Sequence, residues 1–187
     1  MTVSALEAER RHLAGLLEAI QRCVYFLHAH SAKLLWPINT EELIRRDREV
    51  ELFETLAAMN ERFGKLQDTL GAAMRHAIPL AGESGETFLK VLAFYEKIGV
   101  LESAVDWQLC RATRNLAAHV YETDYAAIAE HFNTLHDLTP RLYMTAVRFI
   151  EYCHEALSVQ PLSNKFTEDC QAIARQAEHP SAQQNLT

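Results

Sequence analysis

Apolar residues recur at steps of three, four and seven along almost all of the first 160 positions, and that is the period of helices packed on one side. Leu6, Leu13, Leu17, Ile20, Val24 and Leu27 form one stripe. Ser4 and Glu7 ahead of it make a capping box, which satisfies two orphan amides at a helix start, and Trp36-Pro37 marks its end. Asn39 with Glu42 opens a second helix by the same logic. Its stripe of Leu52, Leu56, Met59, Phe63, Leu66, Leu70 and Met74 is heptad-like and stops near Pro79. The stretch 81–85 reads as a loop, with Ser84 as the cap of a third helix that carries Phe88, Val91, Leu92, Tyr95 and Ile98. Gly99 ends that helix in a left-handed conformation, followed by the apolar Val100.

Ser103 and Asp106 start a fourth helix, whose expected inner face is Val105, Leu109, Ala112 and Leu116. Tyr121 to Asp124 reads as a turn and cap before a fifth. Thr139-Pro140 is expected to break or kink it, after which Arg141 to Leu157 continues as helix. No segment alternates as a strand does and no repeat is present. The fold class is therefore all-α, an up-and-down bundle of five or six helices. Residues 1–160 are expected to form a single helical domain. After Pro161 the apolar pattern thins, so 161–187 is expected to be a C-terminal extension, with Ala177 to Thr187 a mobile tail.

Composition narrows the function classes. Eighteen basic against 25 acidic residues leave a net charge of −7, so any nucleic acid must be met by a local patch rather than by the global field. Cys23, Cys110, Cys153 and Cys170 lie far apart with no C-x-x-C pair, which suggests neither a zinc cluster nor a disulfide framework. The first residues hold no apolar h-region, and no apolar run approaches the roughly eighteen residues of a membrane helix. A cytoplasmic protein is the expectation. Glu9/His12 and Glu151/His154 each form an E-x-x-H, the unit of di-iron bundles, but chance alone supplies about 0.9 such motifs in a chain of this composition. Glu9 and His12 also fall off the apolar stripe. No metal site and no cofactor is expected.

The chemistry concentrates at the end of the fourth helix, where Arg111 to Tyr121 reads R-A-T-R-N-L-A-A-H-V-Y. Arg114 offers a planar fork to phosphate oxygens, and His119 can move a proton near neutral pH. Asn115 hydrogen-bonds without adding charge, and Arg111 stands one turn before Arg114. The plain alternatives are a helix-end arginine, a histidine favoured by the helix dipole and a half-buried turn aromatic at Tyr121. An arginine five residues before a histidine is common by chance. The compound R-N-x-x-x-H-x-Y is expected fewer than roughly once in a thousand such chains.

That compound motif, at the end of a helix in an all-α chain, resembles the HEPN superfamily, and within it the HepT-like ribonuclease toxins encoded beside MNT-type minimal nucleotidyltransferase antitoxins. The resemblance covers about residues 45 to 155, including Glu61 to Leu70 and Phe94 to Trp107, and only the compound motif is specific. It implies a metal-independent endoribonuclease working as a homodimer, with the motifs of both subunits facing one cleft. It further implies Arg114 and His119 as catalytic residues, Asn115 and Arg111 in support, and Tyr121 as the residue to which the antitoxin attaches AMP. Five residues at 100° place Arg114 and His119 about 140° apart on an ideal helix. Either the helix ends near Ala118 or the cleft is assembled across the dimer axis. A non-catalytic helical module that binds the nucleotidyltransferase or its substrate is the alternative from another class.

Overall fold

The computed structural model describes residues 3–115 and 124–178. Within them lie seven helices and no strand: α1 (Val3–Ser31), α2 (Thr40–Arg45), α3 (Val50–Leu80), α4 (Phe88–Lys97), α5 (Ala104–Asn115), α6 (Tyr125–Leu157) and α7 (Thr167–Glu178). The all-α expectation holds. The expected five or six helices are exceeded because one predicted helix divides and a further one follows residue 160.

The division falls where Asn39 starts a helix. Its side chain accepts from the Glu41 amide at 2.8 Å, as a cap should, yet α2 lasts only six residues. Arg46 then reaches back to Glu42 and forward to Glu49, clamping a turn before α3 begins. Ser4 lies inside α1 rather than capping it. Thr87, not Ser84, caps α4 by accepting from the Lys90 amide. Gly99 takes φ +77° as its position requires, while the Val100 and Leu101 amides bond back to the Tyr95 carbonyl. Ser103 accepts from the amides of Val105 and Asp106, and Asp124 from those of Ala126 and Ala127.

The centre of the molecule is the pair α1 and α3. His76 late in α3 meets Glu9 and His12 early in α1, whereas Arg62 lies over Phe26 late in α1, so the two run antiparallel. Leu13, Leu17, Ile20, Val24 and Leu27 are buried against Leu56, Met59, Phe63, Leu66, Leu70 and Met74. Helix α6 closes the core with Phe132, Leu135, Ala146 and Phe149. It runs through Pro140 as one 33-residue helix rather than breaking there. Proline removes one backbone bond, but Leu138, Thr139 and Leu142 around it are buried, and that packing offsets the loss. Tyr95 of α4 is fully buried, and its hydroxyl donates to the Met74 carbonyl at 3.1 Å.

Two expectations need correcting. The inner face of α5 is Trp107, Cys110 and Thr113, whereas Val105 and Leu109 are exposed. The larger indole takes the interior, which turns the helix away from the predicted face; Leu116 lies outside the described residues. The boundary at 160 does not divide the packed structure either. Helix α7 buries Cys170, Ile173 and Ala174 against α1 and α6, and Gln21 of α1 donates to the Thr167 hydroxyl. Most of the expected tail, Ala177 to Thr187, lies outside the described residues. All four cysteines are buried and unpaired. Burial pushes the Cys110 thiol up to about 11 and those of Cys153 and Cys170 to about 12.

Two predictions follow from this packing. Ile173→Ala should cost about 2–4 kcal/mol in urea unfolding, because it opens a cavity under α7; a change within experimental error would mean that α7 is not docked in solution. Burial holds His28, His131 and His136 below their ordinary value of 6.5. The unfolded chain then binds protons more readily just below pH 6.5, so stability should fall as pH drops from 7.5 to 5.5. A flat urea midpoint over that range would contradict the burial of these rings.

Candidate functional site

Helix α5 lies along α3 in the opposite sense. Gln67 donates through Nε2 to the Trp107 carbonyl at 2.8 Å, and Arg114 reaches the Gly64 carbonyl at 3.0 Å. These two bonds fix both ends of the crossing. Gly71 lets the rings in: a Cβ there would stand 3.3 Å from Phe88 Cζ and 3.4 Å from Trp107 Cζ2. The crossing leaves a groove of about 150 Å³ lined by Gln67, Asp68, Arg75, Phe88, Arg111 and Arg114, among others.

The groove gathers three arginines in a chain of net negative charge. Arg114 is held on α3: Nη1 pairs with Asp68 Oδ1 at 2.6 Å as well as with Gly64. Asp68 is mostly exposed, so water screens its side of the pair and the link is worth about 1 kcal/mol at most. Arg111 is exposed one turn earlier. Arg75 lies over the Phe88 ring, its guanidinium carbon 4.7 Å from the centroid, which keeps the charge at the groove edge. Gln67 is 2% exposed, and its Oε1 is a buried acceptor with no hydrogen-bond partner. The groove thus offers guanidinium forks for an anion, while the unpartnered Gln67 Oε1 is closed off from it.

Of the expected site residues, Arg111 and Arg114 meet in this groove. Asn115 is the last described residue of α5. His119 and Tyr121 lie outside the described residues. Asp68, Arg75 and Gln67 were not anticipated. Their signal was present in part: 68, 71, 72 and 75 share one face of α3, polar at the ends and small in the middle. What that face meets is set by α5, forty residues away.

Three of the four E-x-x-H residues make other contacts. His12 packs edge-on to His76, whose Nε2 is 3.2 Å from Glu9 Oε2, and His154 Nδ1 bonds to the Gln160 amide. Among the described residues no helix is long and apolar enough to cross a membrane.

No protein-family model matches the chain, and neither a curated protein nor a solved structure matches it.

Asp68 competes with any anion for Arg114. Asp68→Asn is therefore expected to raise affinity for inorganic polyphosphate about fivefold at low salt, and Arg75→Ala with Arg111→Ala to lower it, measured by calorimetry. Equal affinities in all three proteins would show that the groove does not bind anions.

Proposed function

We propose that the chain is a HEPN-type endoribonuclease, the toxin of a toxin–antitoxin pair, acting in the cytoplasm as a homodimer. The observation that carries this reading is the compound R-N-x-x-x-H-x-Y motif, whose Arg114 falls on a groove with Arg111 and Arg75. The all-α fold, with the motif leaving the end of α5, is consistent with it.

The chemistry needs no metal. The ribose 2′-OH attacks the adjacent phosphorus, forming a 2′,3′-cyclic phosphate as the bond to the 5′ oxygen breaks. His119 takes the 2′ proton or supplies one to the leaving oxygen, and a second His119 from the dimer partner would complete the pair. Arg114 bears the charge that grows on the phosphate oxygens, and Asn115 positions the strand. Asp68 tethers Arg114 until RNA displaces it. Arg111 and Arg75 hold neighbouring phosphates and give the local attraction that the net charge of −7 denies the molecule as a whole. An MNT-type nucleotidyltransferase antitoxin silences the site by attaching AMP to Tyr121, placing anionic bulk beside the arginines.

One observation favours the second reading, a non-catalytic partner or substrate-binding module of a nucleotidyltransferase. Arg114 is engaged by Gly64 and Asp68, as a structural arginine would be.

The two readings part on His119→Ala. As a ribonuclease, the expressed chain arrests growth and cleaves RNA to 2′,3′-cyclic ends in the presence of EDTA, and His119→Ala lowers cleavage at least 10³-fold. Arrest that survives His119→Ala would sink the ribonuclease reading. Intact mass after co-expression with a neighbouring nucleotidyltransferase should rise by multiples of one AMP unit on Tyr121. No gain with a folded, ATP-supplied partner would remove the proposed off-switch.

A further inference from the structure

Cations do not stop at the arginine groove. On α3, Lys65 follows Gly64, whose carbonyl holds Arg114, and Arg62 lies on the flank that faces α1. Burial raises the Cys23 thiol of α1, and the charges of Arg62 and Lys65 pull it back down, with Glu61 opposing them. Lys65 is exposed, so it stands on the outer ridge of α3 between the groove and the α1 edge.

At that edge the cations meet aromatic rings. The guanidinium carbons of Arg22 and Arg62 each lie 5.6 Å from the centroid of the Phe26 ring. Lys165, in the segment before α7, has its Nζ 5.7 Å from the Phe166 centroid. Tyr25 packs against both rings, its centroid 5.3 Å from each. Yet Tyr25 is 36% exposed, the only exposed Phe, Tyr or Trp among the described residues. The nearby carboxylates do not neutralise all of these cations. Glu18 accepts from Ser163 at 3.0 Å, and Glu61 Oε2 stands 3.6 Å from Arg62 Nε. Glu168 and Asp169 occupy the first turn of α7, where the helix dipole favours them. Among the described residues Arg22, Lys65 and Lys165 have no ion-pair partner.

Two guanidiniums gathered on one ring repel each other, and an anion between them relieves that repulsion. A row of cations that ends on an exposed ring is suited to an unpaired nucleic-acid strand, because phosphates follow the charges and a base stacks on the ring. A duplex keeps its bases stacked inside and has none to offer Tyr25. An anionic lipid surface would call instead for protruding apolar side chains, and Phe26 and Phe166 are half-buried.

We propose that single-stranded RNA leaves the arginine groove across this edge, its phosphates following Lys65, Arg62, Arg22 and Lys165 and one base stacking on Tyr25. The identity of the strand rests on the ribonuclease reading, and the edge makes unpaired RNA the substrate class of that enzyme.

The test is fluorescence anisotropy of the full chain with a labelled, unstructured 12-mer carrying 2′-O-methyl groups. Such a strand lacks the attacking hydroxyl, so binding is read apart from cutting. The single strand should bind at least tenfold more tightly than a duplex of the same length. Tyr25→Leu, which keeps apolar bulk but removes the ring, should weaken binding about tenfold, and Tyr25→Phe should bind as the parent does. Arg22→Ala with Lys165→Ala should lower the slope of log affinity against log salt by about 1.4, the loss of two phosphate contacts. The proposal is overturned if the parent does not bind saturably, if the duplex binds as tightly, or if Tyr25→Leu and the double variant both match the parent. It is overturned in favour of a membrane surface if these variants lose binding to phosphatidylserine vesicles but keep it for the 12-mer. Binding that depends on Tyr25 in a chain that cuts no RNA would support the edge and sink the ribonuclease reading. Cutting with Tyr25-independent binding would sink the edge alone.

Discussion

The antiparallel seam between α1 and α3 is the constraint on which the other elements depend. Two helices of 29 and 31 residues bury one apolar face against each other, and no shorter helix of the bundle could be stable without that platform. Helices α4, α5 and α7 have only 10 to 12 residues each, a length that is marginal in water. Each is held by a few specific locks on the long helices. Tyr95 bonds to Met74, Gln67 to Trp107, and Gln21 to Thr167, and in every case a buried or half-buried polar group on a long helix completes the bond. The position of α5, and with it the arginines, is therefore a property of α3.

That dependence explains which parts were legible in the sequence. The stripes of α1, α3 and α6 could be read because a long helix with one buried face repeats its period many times. The caps at Asn39, Ser103 and Asp124 could be read because they are local chemistry. The break after α2 could not, because it rests on Arg46 choosing both Glu42 and Glu49, and the same residues would pair equally well along a continuous helix. Helix α7 was hidden for a different reason. Its buried face is Cys170, Ile173 and Ala174, one strongly apolar residue in three turns, and only the existing α1–α6 surface makes so thin a stripe sufficient.

The candidate site divides in the same way. Arg111, Arg114, Asn115, His119 and Tyr121 form a contiguous pattern and are visible in a single chain. Asp68, Gln67, Arg75 and Phe88 acquire meaning only through the α3–α5 crossing, a contact between residues about forty positions apart. Even the facing of α5 was misjudged from periodicity: Val105 and Leu109 match the step of four, but Trp107 has the greater area to bury and takes the interior. A twelve-residue helix with two competing apolar faces is turned by its largest side chain.

Charge decides how such a groove can act. The chain carries −7 overall, so long-range attraction for a polyanion is absent and association depends on arginines within about a Debye length of the bound phosphates. Three arginines in one groove provide that, but three unneutralised charges would also repel one another and hold the α3–α5 crossing apart. Asp68 settles the conflict by lending Arg114 a counter-charge from an exposed position. Because the carboxylate is mostly in water, releasing it costs little; a buried partner in its place would have locked the guanidinium permanently. The same pair thus supports the crossing while its carboxylate stays in exchange with water. Phe88 does the equivalent for Arg75 without any charge, since a ring face steadies a guanidinium while leaving its outward N–H groups able to donate. Arg114 and Arg75 are thus each steadied by a partner that leaves the rest of the guanidinium able to donate, and that is how cations can be gathered in one groove on an acidic protein.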